Sequence, residues 1–345
     1  MNTLRRMIRN EQDIAAVDYY ELFSELTGNR QQKPALTAML AALSAKPVNF
    51  NDVVNLVRFI EEKAPKRSLK HSEELINIVG TGGGIATFNI STTSAFVAAA
   101  AGAKVLKSGS YSYNSQCGSL DLLSRLGIRL DLNEDALNTM LEQFNIGFVS
   151  PAMYPPLLRR LAVSIAPLSL RDIGGIINTI GPLLCPFQVG GQICGVRSPE
   201  LVPVFARALD ALGIRNSIAV WAEVGMDEFS AVGDNQFAFS DENPQVQLLN
   251  PREFGMAHSD PEELAGGGPD DNIEILHAVL NNRASVAAID TVVLNAAHIL
   301  LLAGKQSTPA DAVRKSREVI EQGTAARLLN DIVRWSENRQ QLAEV

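Results

Sequence analysis

The run GTGGG at residues 80–84 closes a short apolar stretch, INIV, and stands within ten residues of a helix-forming segment. Glycines tolerate positive φ and let a ligand approach the backbone closely. Successive N–H groups in such a turn form a concave set of donors, and the N-terminus of the next helix adds a positive dipole end. This arrangement suits the binding of an anion, a phosphate above all. The spacing matches neither GxGxxG nor GxxxxGKS/T, which excludes a dinucleotide fingerprint and a P-loop. A tight loop without a ligand is the competing reading. Downstream, Asn89, Ser91 and Thr92 place an amide and two hydroxyls at the helix start. They either cap that helix or hold phosphate oxygens or a metal-bound water. Lys107 ends the next strand-like run and is followed by Ser108, Gly109, Ser110, Ser112, Ser115 and Ser119. One lysine amid hydroxyls and glycines suits a phosphate clamp; a solvated loop is the alternative.

Other reactive side chains are sparse. His71, His258, His277 and His298 are scattered without metal-ligand spacing and read as surface or packing residues. Cys117, Cys185 and Cys194 include no CxxC pair, and an odd number excludes a fully paired disulfide framework. A reducing, cytoplasmic setting is the expectation.

The elements that must position these residues follow from apolar periodicity. Residues 1 to about 70 read as helices: Tyr19, Leu22, Phe23 and Leu26 recur at helical spacing, as do Leu36, Met39, Leu40 and Leu43, then Val53, Val54, Val57 and Ile60. Gly28 and Pro34 separate the first two, and Asn49 or Asn51 caps the third. From Ile76 the pattern becomes strands alternating with helices: INIVG, AKVLKSGS, IGFVSP, QVGGQICGV and SIAVWAEV read as strands. Helices are expected from Ser91, over CGSLDLLSRLG and over DLNEDALNTMLEQFN, again between residues 151 and 184, and from about Pro269 onward. Alternation of this kind predicts a mostly parallel sheet with both faces covered. The expected fold class is α/β: a small helical domain, residues 1–70 completed by part of 155–190, ahead of a large α/β domain over 71–345.

Composition agrees. With 345 residues the chain buries a substantial core, and 46% hydrophobic with 20% charged residues is an ordinary globular balance. A net charge of −8 argues against a general nucleic-acid surface without excluding a local positive pocket. The basic start is not followed by an apolar h-region, and the apolar run 95–105 is too short to span a bilayer.

The segment GTGGG…TFNISTTSAFVAAAAGAKVLKSG resembles the anthranilate phosphoribosyltransferase family of tryptophan biosynthesis, a relative of the pyrimidine nucleoside phosphorylases. The likeness continues through GSLDLL, INTIGPLLCP, GMDEFS and the NAAHILLLAGK near the C-terminus; TFNIST and GMDEFS together are its most specific parts. The resemblance implies a phosphoribosyl pyrophosphate donor bound with Mg2+, and a homodimer formed through the helical domain. It implies that Gly80, Gly82, Gly83 and Thr87 surround the diphosphate, that Asn89, Ser91 and Thr92 bind the donor, and that Lys107, Gly109, Ser115 and Ser119 contact it from the next loop. It also implies that Asp227 and Glu228 bind magnesium, with Ser91 near a second ion. Such a pair makes chemical sense, because pyrophosphate leaves poorly until its charge is neutralised and magnesium prefers one or two carboxylates plus phosphates and waters. Outside this resemblance, adjacent Asp and Glu in a loop read as surface charge.

The chain also departs from the family pattern. The family's turn is GTGGDG, and here it is one residue shorter and lacks the Asp. The family's KHGNR becomes Lys107, Ser108, Gly109, Ser110 and Tyr111, so Ser110 stands where an asparagine helps hold anthranilate. The family's RTIFN segment supplies an arginine for the acceptor carboxylate, and here the matching residues are Gly174, Gly175, Ile176, Ile177 and Asn178. Losing a bidentate guanidinium removes strong, geometrically selective carboxylate binding. Arg171, in a Leu-Arg-Asp segment similar to that of the pyrimidine phosphorylases, either reaches an acceptor oxygen or pairs with Asp172. Tyr111 and Tyr113 either stack on a flat acceptor or pack on the protein.

The reading is therefore a divergent paralogue: a phosphoribosyltransferase acting on an aromatic or heteroaromatic acceptor other than anthranilate, with no general base assigned. The alternatives are an ordinary anthranilate phosphoribosyltransferase, a nucleoside phosphorylase, and a non-catalytic paralogue that binds a ligand or nucleic acid. Membrane association is not expected.

Overall fold

A computed structural model describes residues 2–9, 11, 14–28, 32–109, 117–164, 168, 173–258 and 260–343. Ser110, Tyr111, Ser112, Tyr113, Ser115, Arg171 and Asp172 lie outside the described residues.

Four helices open the chain: α1 (Asn2–Ile8), α2 (Ala16–Gly28), α3 (Lys33–Ala45) and α4 (Phe50–Lys63). The apolar residues singled out by periodicity are the buried ones. Pro34 sits in the first turn of α3, where its missing N–H costs nothing. Of the two expected caps for α4, Asn49 serves: its Oδ1 accepts from the Asp52 backbone N–H at 2.9 Å.

The α/β part then runs β1 (Ile76–Gly80), α5 (Ile90–Ala100), β2 (Val105–Ser108), α6 (Ser119–Arg125), α7 (Glu134–Phe144), β3 (Ile146–Val149), α8 (Pro156–Ser164), α9 (Gly175–Ile180), β4 (Gly191–Gly195), α10 (Leu201–Ala211), β5 (Ser217–Ala222), β6 (Asn235–Phe239) and β7 (Gln247–Leu249). Four helices close it: α11 (Pro269–Leu280), α12 (Val286–Leu302), α13 (Pro309–Glu321) and α14 (Thr324–Ala343). The sheet has seven strands in the order β3-β2-β1-β4-β5-β6-β7. β1 to β5 pair in parallel. β6 and β7, which the sequence reading did not assign, add an antiparallel edge.

Period-two alternation divides the strand residues between two cores. Ile76 and Ile78 of β1, Ile193 of β4, and Ile218 and Val220 of β5 share a cluster with α5, α6 and the C-terminal helices. Cys194 and Ala219 point the other way, into a cluster containing α10, the N-terminal helices and Leu161, Ile176, Ile177, Ile180, Leu183 and Leu184. Cys117, Cys185 and Cys194 are all free and buried. Among the described residues, no helix is long and apolar enough to cross a membrane.

Candidate functional site

The strand order creates the site. From β1 the chain moves outward through β2 to β3, then returns to place β4 on the other side of β1. Connections leaving β1 and β4 therefore diverge, and a crevice opens at their carboxyl ends, where open α/β sheets bind ligands. Two glycines face each other there, Gly80 of β1 and Gly195 of β4. The crevice is lined by Gly80, Gly195, Ser91, Asp227, Glu228 and Asn295, with Ile78, Val79 and Ile193 beneath.

The glycine turn and the acidic loop are built against each other. A Cβ on Gly80 would strike the Asp227 carboxylate, and one on Gly195 would strike the Asp227 carbonyl oxygen. Ile85 N–H donates to the Gly225 carbonyl at 3.0 Å, and Gly84 approaches that same carbonyl too closely for a side chain. Gly82 and Gly83 take positive φ, at 65° and 89°, so the turn requires glycine there as well. Gly82 N–H donates to Asp227 Oδ2 at 2.8 Å. A carboxylate oxygen thus sits on one of the amides that the sequence reading reserved for an anion. Open space lies beyond Gly82, and the stem of the exposed Arg197 lies against Gly83.

The start of α5 differs from simple capping. Asn89 occupies the cap position, but its side chain makes no cap hydrogen bond. Its backbone N–H donates to Asn272 Oδ1 at 3.1 Å, which fixes the turn into the helix. Among the described residues, Asn89 Oδ1 and Thr92 Oγ1 are buried and find no hydrogen-bond partner. Orphaned buried polar atoms are uncommon, and ligand sites are one place they occur. Thr87 forms a β-bridge with Ala265, which anchors the segment between turn and helix.

Lys107 is no surface lysine. It is 4% exposed at the end of β2, and its ammonium donates to the Ile78 carbonyl at 3.3 Å and to the Ser108 carbonyl at 2.5 Å. Burial pushes its pKa down to about 8, and the negative charges of Glu228 and Asp227 partly oppose that fall. Burial, and then the adjacent Asp227 charge, raise the Glu228 carboxyl well above the ordinary range. Gly109 closes over Ser119, the first residue of α6, so tightly that a Cβ would meet the Ser119 hydroxyl.

The crevice therefore gathers Gly80, Ser91, Asp227 and Glu228, with Gly82 tied to it by a hydrogen bond and Lys107 by charge, while Gly83 lies against Arg197. Gly109 and Ser119 meet beyond Lys107. The histidines stay out of this set: His71 contacts Glu74, His258 contacts Asp290, and His298 stacks on Phe229. Among the described residues no group of three or more His, Cys, Asp or Glu side chains is placed to hold a metal. The residues matching the lost acceptor arginine begin α9. Gly175 lies against Ser44 of α3, whose hydroxyl donates to the Ile173 carbonyl and accepts from the Ile176 N–H.

Gly195, Asn295 and Arg197 were not singled out by sequence reasoning. Asn295 carries a signal that was available, a lone amide in the otherwise apolar run TVVLNAAHILLLAG. Arg197 is the first charged residue after the glycine-ended β4.

Comparison with known proteins gives consistent findings. The glycosyl transferase family model, described as its a/b domain, matches residues 72–326. An anthranilate phosphoribosyltransferase from Desulfosudis oleivorans is 31% identical over 338 residues, covering 97% of this chain and 98% of that protein. The crystal structure of anthranilate phosphoribosyltransferase from Thermus thermophilus superposes with a TM-score of 0.85 at 30% identity, covering 98% of this chain and 100% of the other. The Saccharomyces cerevisiae enzyme, itself in complex with PRPP and Mg, shares the fold with a TM-score of 0.82 at 22% identity over 97% of each chain.

Proposed function

This chain belongs to the anthranilate phosphoribosyltransferase family, and from that premise we propose that it moves ribose 5-phosphate from phosphoribosyl pyrophosphate to an aromatic or heteroaromatic acceptor other than anthranilate. It is a glycosyltransferase of the pentosyl class. The observation that carries the donor half is the contact between the glycine turn and the acidic pair, in a crevice at the switch point of the sheet.

In this reading Gly80, Gly83 and the Thr87 segment surround the diphosphate, and Gly82 joins them by exchanging its bond to Asp227 for one to a phosphate oxygen. Asn89, Ser91 and Thr92 bind the donor at the start of α5, where two unpartnered oxygens suit hydroxyls of the sugar phosphate. Lys107 supplies positive charge from beneath, and Gly109 with Ser119 close the next loop. Ser110, Tyr111, Ser115 and Arg171 complete the proposed set, outside the described residues.

The residues present fit magnesium. Asp227 and Glu228 offer two carboxylates and Ser91 a hydroxyl in one crevice, hard oxygen donors too few for a cage and suited to an ion that keeps phosphates and waters. When bound, Mg2+ would neutralise the leaving pyrophosphate. The protein's own contribution is to hold donor and acceptor in line and to keep water out. No general base is assigned, and an acceptor with a free lone pair needs none.

The acceptor assignment rests on the sequence. Gly174 stands where the family pattern has arginine, so the partner for an anthranilate carboxylate is missing at that position. A second reading, transfer to anthranilate itself, is favoured by the name of the relative. A pyrophosphate-release assay across an acceptor panel separates them. The proposal expects release with another aromatic amine or heteroaromatic base and little with anthranilate. Release with anthranilate at the level of a tryptophan-pathway enzyme, together with complementation of a tryptophan auxotroph, would refute it. The reading includes a cytoplasmic homodimer joined through the helical layer, where Ile8 and Val17 of the N-terminal helices and Val163 of α8 are exposed.

A further inference from the structure

Asp227 and Glu228 sit in a loop, yet the peptides that follow them are held from two sides. Phe229 N–H donates to Asn295 Oδ1 at 3.1 Å, and the Phe229 carbonyl accepts from Asn295 Nδ2 at 2.6 Å. Asn295 lies on α12 and is 1% exposed. Its amide is itself oriented by a bond from Nδ2 to the Thr291 carbonyl at 2.8 Å. Ser230 is held the same way from the sheet. Its N–H donates to Asn235 Oδ1 at 2.7 Å, and its carbonyl accepts from Asn235 Nδ2 at 2.9 Å. Asn235 is the first residue of β6 and fully buried. Two carboxamides therefore grip two consecutive residues, each at both N–H and C=O, directly after the acidic pair.

Packing alone would not do this. The Phe229 ring is buried and stacks on His298 at 3.7 Å with 12° between the planes, which sets its depth. A stacked ring leaves rotation of the peptide free, and rotation is what aims the two preceding carboxylates. Water could not replace the buried amide bonds without a cost.

We propose that Asn295 and Asn235 are positioning residues that set the direction in which Asp227 and Glu228 face the glycine turn, and through it the affinity for a diphosphate carried with a divalent cation. The proposal rests on the donor reading above. Asn295 reaches the crevice wall, but its amide, like that of Asn235, is spent on backbone groups, so both act through the backbone of the loop. Outer partners of metal-binding carboxylates are typically worth 10–100-fold in metal affinity or activity.

The test is calorimetric titration of phosphoribosyl pyrophosphate with Mg2+ into full-length wild type, Asn295→Ala, Asn235→Ala and Asp52→Asn, with thermal melts of each. Asp52→Asn perturbs a buried network in α4 and serves as a control for destabilisation alone. The expected result is that each asparagine variant stays folded and binds the donor about 10–100-fold more weakly, with the loss appearing in KM more than in kcat. Asp52→Asn should melt earlier and bind as wild type does. Asparagine variants that melt earlier but bind as wild type would overturn the proposal, showing a structural role only. Should an alanine variant fail to fold, Asn295→Ser and Asn235→Ser are measured against the same two outcomes. A wild type that ignores donor and Mg2+ would instead bring down the donor reading, and this proposal with it.

Discussion

Lys107 is the residue whose physics departs furthest from its sequence appearance. Among serines and glycines it could have been a solvated loop cation, and it is instead buried beside two carboxylates. Its pKa falls from the ordinary 10.5 to about 8, so the free protein loses this charge as pH rises through that value. We expect kcat/KM for the donor to fall above about pH 8 and Lys107→Met to lose that limb, with kcat/KM lower by about 10²-fold. Stability runs the other way. The unfolded chain holds this proton more tightly between about 8 and 10.5, so the cost of burying the charge is fully present below 8 and fades towards 10.5. The melting temperature of Lys107→Met should therefore exceed that of wild type near neutrality, and the gap should narrow at alkaline pH. An unchanged gap would contradict the assignment. Some of the site was legible at this scale: GTGGG announced close backbone approach. The purpose of Gly80 and Gly195 was not, because they make room for Asp227, far away in sequence. Asp227 and Glu228 likewise carry no local signal and were readable only through the resemblance of GMDEFS.

At the scale of elements, helices were readable because each buries a stripe or a whole surface, as the periodicity of α2, α3 and α4 shows. The five parallel strands were readable because burial on both faces makes them apolar runs. β6 and β7 were not: β7 is mostly exposed, and β6 opens with the buried amide Asn235, so neither presents a clean pattern. The cap of α4 belongs to a larger device. Asp52 is 2% exposed and accepts from the Tyr19 hydroxyl, from Asn49 Nδ2, and from Lys46 at 2.7 Å. Burial, reinforced by Asp52, raises the Tyr19 phenol. Replacing this carboxylate leaves Lys46 without a counter-charge in a largely buried site. Asp52→Asn should cost about 3 kcal/mol, read from urea midpoints, with donor affinity unchanged because α4 lies outside the crevice.

The whole molecule carries a net charge of −8, yet its candidate ligand is strongly anionic. The fold resolves that conflict locally. Parallel strands deliver glycine amides, a helix start and one buried lysine to a single crevice, and the two carboxylates beside them bring the negative charge that a divalent cation would bridge. Topology, not composition, makes the place, which is why the composition argues against a general nucleic-acid surface without revealing the site. The most direct measurement is calorimetry of phosphoribosyl pyrophosphate binding with and without Mg2+, on wild type and on the Asp227→Ala, Glu228→Ala double variant. The account predicts Mg2+-dependent binding to wild type that the double variant loses. Wild type that shows no heat with donor and Mg2+, or a double variant that binds as well, would contradict it.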